Sequence, residues 1–326
     1  MTDRLEIFET RRHPGRKIQG ISAVLLPFDG QGRIDEQSFR KHARRTADAG
    51  LRLAVNMDTG YIDLLTAGQK RMVLEWTQET LSGKDWFAAG ALPLESGQPA
   101  GIVYARECAA ISERGGVPVI FPSAKLAGLD DAQLIGVFGE VAAAAPRFLA
   151  FELGSMFSPH GRMFSDDVLR ALMEMPQCLG LKHSSLNRAT ELHRIVLRDQ
   201  ARPDFVIYTG NDLAADMVEY GSDYLLGLST FAPELFAARD QAWAESGAHY
   251  LELRDMIQYL GWIGFRNPVP AYKHSAAIFL NLTGGLENQQ THPLAPRREA
   301  WDIEILKDAA ARLQRLLPAT AHSTAG

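Results

Sequence analysis

Short apolar segments rich in β-branched and aromatic residues alternate along the chain with longer amphipathic segments. This alternation is typical of strands followed by helices, so each strand is expected to have its own helix. Eight such units within about 240 residues predict an α/β fold, a closed parallel (β/α)8 TIM barrel, in which residues just past the strand carboxyl ends form the active site. The predicted strands span residues 21–27, 51–56, 86–92, 118–121, 147–153, 177–182, 205–209 and 224–228.

Capping residues mark the starts of several predicted helices. Thr66, Asp130 and Ser165 each precede an amphipathic segment, and side-chain oxygens at such positions accept hydrogen bonds from the first helical N–H groups. Beyond about residue 246 only helical segments follow, over 250–263, 269–282 and 297–317. We therefore predict a barrel with an N-terminal extension over residues 1–245 and a C-terminal helical domain over residues 246–326. The last residues, 318–326, are expected to be frayed.

Composition and charge narrow the class of protein. The chain has 326 residues, of which 46% are hydrophobic, and its formal net charge of -5 without a long basic run argues against a nucleic-acid partner. No apolar stretch approaches the roughly 20 residues of a membrane span. The charged N-terminus is unlike a signal peptide, so a cytoplasmic location is expected. Cys108 and Cys178 lack partner spacing, so neither a disulfide nor a metal site is predicted.

Lys182 ends the sixth predicted strand, directly after the apolar residues Cys178, Leu179, Gly180 and Leu181. Because strand side chains alternate between faces, Cys178, Gly180 and Lys182 are expected to point one way and the two leucines the other. An amine over two small residues, with water largely excluded, has a lowered pKa and can attack a carbonyl. The leading hypothesis is therefore a Schiff-base lysine. The alternative is an ordinary lysine that reaches solvent from the strand end.

Four short segments, taken together, have an informative order and spacing along the chain. They are residues 23–28 with the Ile-Asp pair at 34–35, Leu-Gly-Leu-Lys-His-Ser-Ser at 179–185, Thr-Gly-Asn-Asp at 209–212, and Asn-Pro-Val-Pro at 267–270 with Lys273 and His-Pro-Leu at 292–294. In these segments the chain resembles, as a divergent member, the class I aldolase superfamily typified by dihydrodipicolinate synthase and N-acetylneuraminate lyase. The resemblance implies that Lys182 joins the keto carbon of pyruvate or a related 2-oxo acid, and that an adjacent C–C or C–O bond is then made or broken.

The resemblance also points to the loop after the second strand, where the family reads Gly-Thr-Thr-Gly-Glu and residues 57–61 read Met-Asp-Thr-Gly-Tyr. It implies that backbone N–H groups at Thr59 and Gly60 hold the substrate carboxylate, with Tyr61 beside them. Asp58 replaces a hydroxyl that relays protons and is predicted to be a catalytic acid or base. An Asp58 that only caps the loop or faces solvent is equally open.

The tyrosine that the family carries on its fifth strand, which moves protons to and from the intermediate, is missing. Phe151 aligns with it and is expected to line the site, and residues 121–124 replace a second relay tyrosine. Authentic dihydrodipicolinate synthase activity is therefore not expected. The candidates for the missing proton carrier are Asp58, ranked first, and Glu152, Ser123, Tyr61 and His160.

Three more residues are predicted to contact substrate. Arg162 is the arginine available in the loop after the fifth strand, where the family has one that binds the far end of its substrate; a solvated loop arginine is the alternative. Asn211 and Leu226, at the carboxyl ends of the seventh and eighth strands, are also expected to line the site.

Two functions remain open from the sequence. The first is a class I lyase, an aldolase or a dehydratase, that acts on a 2-oxo acid and needs neither a metal nor another cofactor. The second is a barrel that kept its pocket, lost the chemistry, and binds a small 2-oxo acid as a regulatory or binding protein. A phosphate-binding isomerase is disfavoured because Asp212 and its neighbours lack a glycine-rich phosphate turn. By analogy with relatives, the chain is expected to form a homodimer or homotetramer.

Overall fold

Eight parallel strands close into a barrel in sequence order, β1 to β8, as the alternating pattern predicts. The computed structural model describes residues 10–83, 85–93 and 97–317; the predictions for the N-terminal segment and for residues 318–326 fall outside these ranges. The strands are β1 Gly20–Ala23, β2 Arg52–Val55, β3 Phe87–Ala91, β4 Gly116–Ile120, β5 Phe148–Leu153, β6 Cys178–Ser184, β7 Val206–Thr209 and β8 Asp223–Leu226.

The helices surround the barrel and continue past it. The described α-helices are α1 Glu36–Asp48, α2 Ala67–Leu81, α3 Ala100–Ser112, α4 Ala124–Ala127, α5 Asp131–Ala144, α6 Asp166–Glu174, α7 Arg188–Ala201, α8 Pro233–Ala244, α9 Tyr250–Gly264, α10 Tyr272–Leu282 and α11 Asp302–Leu316.

The caps form where the sequence predicts them. Thr66 and Asp130 each accept a hydrogen bond from the third helical N–H of α2 and α5, and a glutamine closes the capping box in both helices. Ser165 accepts from Val168 N–H at the start of α6. These side chains satisfy N–H groups that have no partner within the helix and so fix where each helix begins.

The expectation that every strand has its own α-helix is wrong for β7. The described connection between β7 and β8 contains only a 3-10 turn, Met217–Tyr220. Side chains hold this connection without a full helix: Asp212 accepts from the N–H of Leu228, and Arg239 donates to the carbonyl of Ala215.

Strand β6 departs from simple alternation at its start. Phe148 pairs with Cys178 but Leu149 pairs with Gly180, so Leu179 is an extra residue in β6, as in a β-bulge. Cys178 consequently packs among the helices, whereas Leu179 packs inside the barrel. The predicted faces of these two residues are therefore wrong. From Gly180 onward the side chains alternate regularly between the two faces of the strand, and Lys182 points into the barrel.

Two apolar clusters build the core. The larger one lies between barrel and helices and includes residues of α9, α10 and α11, so the C-terminal helices share this core with the barrel. The smaller one fills the barrel with inward-facing residues such as Ile21, Val117 and Leu149. Both cysteines are buried in the structure. Within the described ranges, none of the helices is both long and apolar enough to cross a bilayer.

Candidate active site

The amine of Lys182 lies inside the carboxyl end of the barrel. Its side chain is almost completely enclosed, with 9% of the residue exposed. The amine nitrogen is 2.5 Å from the hydroxyl of Ser184, to which it donates, and 4.2 Å from the ring centroid of Phe151. Phe151 therefore faces the site, and its ring can stabilise the protonated amine as a cation–π partner.

A glycine at the end of β7 makes room for the lysine head. A Cβ at Gly210 would lie 2.1 Å from the hydroxyl of Ser184 and 2.6 Å from the amine of Lys182. Both distances are far below van der Waals contact. The absence of a side chain at Gly210 therefore leaves the space in which the amine and its hydroxyl partner sit.

The surroundings of Lys182 favour its neutral form. Burial lowers its pKa from 10.5 to about 8, although the charges of Asp212 and Asp58 act in the opposite direction. A cation loses hydration when it is buried, and no carboxylate forms a direct ion pair with this amine among the described contacts. Near neutral pH a useful fraction of the amine is therefore unprotonated, as a nucleophile requires.

Asp212 is a second titratable group at the same end of the barrel, and it is half-buried. Its carboxylate accepts a hydrogen bond of 2.7 Å from the N–H of Leu228. Burial raises the pKa of Asp212 to about 6, while that hydrogen bond and the charge of Lys182 hold it down. Asp212 thus lies close enough to Lys182 for each group to influence the protonation of the other.

A polar cluster of Asp58, Thr59, Tyr272 and Lys273 joins the β2 loop to helix α10. The hydroxyl of Tyr272 is 2.8 Å from both Thr59 Oγ1 and Asp58 Oδ2. The amine of Lys273 lies 3.0 Å from Asp58 Oδ1. Tyr272, Thr59 and Lys273 are buried, whereas the side chain of Asp58 is 59% exposed. The cluster therefore connects the protein interior to solvent.

The remaining loop residues have other contacts. The N–H of Gly60 donates to the carbonyl of Met57, so the observed 3-10 turn, Asp58–Gly60, already uses the group that was expected to hold a carboxylate. Tyr61 adopts a left-handed backbone conformation with φ of 59°. Its buried ring packs against Phe28 and His292, so it faces the C-terminal segment.

The three other residues predicted to contact substrate have different surroundings in the structure. Arg162 forms an ion pair with Asp131 and donates to the carbonyl of Leu129, which anchors its loop to the start of α5. Asn211 is buried, and its side-chain oxygen accepts from the N–H of Leu213. The prediction that Leu226 lines the site is wrong, because alternation along β8 turns Leu226 toward the helices and leaves Leu225 inside the barrel.

Glu152 does not contact Lys182 and instead belongs to a buried hydrogen-bond network. It is fully buried behind β5 and accepts hydrogen bonds from His183 at 2.6 Å, from Arg194 at 3.0 Å and from the N–H of Phe164 at 2.8 Å. Burial alone would raise the pKa of Glu152, but the hydrogen bonds and charges of His183 and Arg194 hold it below its usual value. This network ties β5, β6 and α7 together.

Sequence reasoning missed Tyr272 as a site residue. The Asn-Pro-Val-Pro segment at 267–270 marks the entry to α10, and Tyr272 is the first residue of that helix. The signal was therefore present, but no local pattern shows that α10 points its first turn at the barrel mouth. Ser184, Gly210 and Asp212 were visible in the segments that carry the resemblance, although none was assigned a role.

The chain is similar to known proteins in structure and not detectably in sequence. No protein-family model matches the chain, and no curated protein is significantly similar to it in sequence. Solved structures do match over nearly the whole chain. Eight of them are 15 to 18% identical to this chain, so this likeness concerns the fold.

Three of these structures illustrate the likeness. A prophage protein of the dihydrodipicolinic acid synthase family from E. coli K12, in complex with pyruvate, is 16% identical with a TM-score of 0.78, over 92% of this chain and 98% of that one. The sialic acid aldolase of Ruminococcus gnavus is 17% identical with a TM-score of 0.77, over 92% and 98%. The dihydrodipicolinate synthase of Thermotoga maritima is 18% identical with a TM-score of 0.76, over 93% and 100%. The chain therefore has the fold of dihydrodipicolinate synthases and sialic acid aldolases, a (β/α)8 barrel followed by helices.

Proposed function

We propose that this protein is a class I lyase, an aldolase or dehydratase, that binds pyruvate or another 2-oxo acid as a Schiff base on Lys182. The observation that carries the proposal is the amine of Lys182, enclosed at the carboxyl end of the barrel with its pKa lowered to about 8. Buried lysines with lowered pKa values are typical of Schiff-base enzymes. The shared fold, including a relative that binds pyruvate, supports the same assignment.

The chemistry follows from an amine at this position. The neutral nitrogen of Lys182 attacks C2 of the 2-oxo acid to give a carbinolamine, which loses water to form a C=N bond. When the imine nitrogen is protonated, it accepts the electron pair released as a bond at C3 breaks. That bond is C3–H when an enamine forms, or C3–C4 when an aldol product is cleaved. Protonation at C3 converts the enamine back to an iminium, and water then hydrolyses the iminium to the amine of Lys182 and the 2-oxo acid.

Side chains next to Lys182 orient its amine and enclose it. The hydroxyl of Ser184 accepts a hydrogen bond from the amine and so orients it. The ring of Phe151 covers one side of the nitrogen, at 4.2 Å from ring centroid to amine. We leave Arg162 and Gly60 out of substrate binding, because Asp131 already binds the guanidinium and Met57 the glycine N–H.

Reductive trapping tests the proposal. The protein is incubated with sodium cyanoborohydride and a panel of 2-oxo acids that begins with pyruvate and 2-oxobutyrate, and the intact mass is measured. We expect one covalent adduct per chain, lost in Lys182→Ala and kept in Lys41→Ala, a variant of an exposed lysine on α1. Failure to trap any member of the panel would overturn the proposal.

A binding protein without turnover is the second candidate, and one observation favours it. Phe151 places a ring without a hydroxyl at 4.2 Å from the lysine amine, where it cannot transfer a proton. On this hypothesis a 2-oxo acid raises the melting temperature of the wild type and of Lys182→Ala to the same extent, because ligand binding stabilises the folded state. On the lyase hypothesis the covalent part of that stabilisation disappears with the lysine.

A further inference from the structure

A lyase of this kind needs a group that moves a proton at C3, and Phe151 cannot supply it. Tyr272 brings a buried phenol to the barrel mouth from α10, outside the barrel. Its hydroxyl lies 2.8 Å from Asp58 Oδ2 and 2.8 Å from Thr59 Oγ1.

The direction of the hydrogen bonds follows from the donors present. An ionised carboxylate only accepts, so the single proton of the Tyr272 hydroxyl points at Asp58. The hydroxyl of Thr59 must then donate to the phenol oxygen. The result is a chain from Thr59 to Tyr272 to Asp58. Its outer end, Asp58, is 59% exposed and can exchange protons with water, while its middle is buried.

Two glycines locate the phenol relative to the lysine. Gly227 directly follows β8, and a Cβ there would lie 3.0 Å from Thr59 Oγ1 and 3.3 Å from the Tyr272 hydroxyl. Gly210 directly follows the neighbouring strand β7, and a Cβ there would lie 2.6 Å from the amine of Lys182. The phenol and the amine thus lie beside the carboxyl ends of two adjacent strands.

The position of Asp212 also indicates that the phenol of Tyr272 and the amine of Lys182 lie at the same end of the barrel. Its carboxylate bonds to the N–H of Leu228, directly after Gly227, and its charge acts on both Lys182 and Tyr272. Asp58 likewise acts on both groups. Lys182 and Tyr272 therefore share two carboxylate neighbours at this end of the barrel.

We propose that Tyr272 is the catalytic acid and base at C3 of the lysine-bound substrate, with Asp58 as its proton partner and Lys273 as the residue that positions Asp58. This inference rests on the proposed Schiff-base function. It differs from the arrangement expected from the resemblance, since the phenol comes from the C-terminal helices and not from β5.

The proposed proton transfer at C3 moves two protons. The phenol oxygen takes the proton from C3 while its own proton passes to Asp58 Oδ2, and the C–H electron pair moves through C2 to the iminium nitrogen. The reverse step returns a proton to C3. Burial raises the pKa of Tyr272 well above 10, with the charge of Asp58 adding to the effect. A free phenolate is therefore disfavoured, and the two transfers are coupled.

Hydrogen–deuterium exchange at C3 tests Tyr272 apart from the lysine. Pyruvate and 2-oxobutyrate are incubated in D2O, and loss of the C3 proton signal is followed by NMR, beside the trapping assay on the same samples. In Tyr272→Phe we expect exchange to slow by roughly 100-fold or more, the usual effect of a lost general acid or base, with the Lys182 adduct still formed. Asp58→Asn should slow exchange as well, because an amide cannot take the proton.

Tyr224→Phe is the matched control. Tyr224, on β8, is also buried and donates to an aspartate, Asp240, at 2.8 Å, but its side chain packs in the cluster between the barrel and the helices. Its exchange rate should stay within about twofold of the wild type. A Tyr272→Phe protein that traps and exchanges like the wild type would overturn the relay alone. A wild type that neither traps nor exchanges would overturn the proposed function, and the relay with it.

Discussion

Replacing Lys182 by methionine should stabilise the protein at neutral pH, and the gain should shrink as the pH rises. The pKa of the lysine is about 8 in the folded state against an ordinary 10.5. A folded-state pKa below the unfolded one means that folding disfavours the charged amine. The cost is fully present below pH 8, where both states are protonated, and fades as the pH rises from 8 to 10.5.

The size of this effect follows from the two pKa values. The cost of keeping Lys182 folded is about 3 kcal/mol at pH 7 and roughly 1.4 kcal/mol at pH 9.5. Methionine has similar length and no charge, so Lys182→Met removes the cost at both values. The advantage of the variant in free energy of unfolding should therefore fall by about 2 kcal/mol between pH 7 and pH 9.5.

Urea unfolding followed by tryptophan fluorescence at pH 7, 8.5 and 9.5 measures that difference. Comparing variant with wild type at each pH cancels the titration of all other groups. Lys41→Met serves as the control for the substitution itself, because this side chain is exposed on α1. A stability difference for Lys182→Met that is constant across the three pH values would show that folding does not lower the pKa of Lys182.

Three further predictions concern the same site. The rate of adduct formation with pyruvate should rise about tenfold per pH unit below pH 8 and level off above it, following the neutral amine of Lys182. Gly210→Ala should reduce trapping by roughly tenfold or more while circular dichroism stays native, since its Cβ would collide with Ser184 and the amine. Glu152→Gln should destabilise the fold by about 3 kcal/mol in urea, because it removes the buried carboxylate that pairs with Arg194 and leaves the guanidinium only the half-exposed Asp166 as an ionic partner.

Much of the fold was predictable because it depends on local chemistry. Alternating apolar and amphipathic segments predict the eight strands, and Thr66, Asp130 and Ser165 mark helix starts that the structure confirms. The missing helix after β7 and the extra residue Leu179 in β6 were not predictable. Both depend on pairing and hydrogen bonds between residues far apart in sequence, such as Asp212 with Leu228.

The positions of some residues of the candidate site are likewise predictable from the sequence, and those of others are not. Strand position and barrel geometry brought Lys182 and Phe151 to the mouth as expected, since alternation and strand order suffice for that. Tyr272 is more than 200 residues from Asp58 in sequence, and only the docking of α10 on the barrel brings them to 2.8 Å. Leu226 was misplaced because one step along a strand reverses the face.

Peptide mapping of the reduced pyruvate adduct is the most direct test of the account. Lys182 and Lys273 both lie near the barrel mouth, but the amine of Lys273 is held 3.0 Å from the carboxylate of Asp58 and the amine of Lys182 is not ion-paired in the described structure. Tandem mass spectrometry at pH 8 should place the modification on Lys182 alone. An adduct on Lys273, or no adduct on either lysine, would contradict the account.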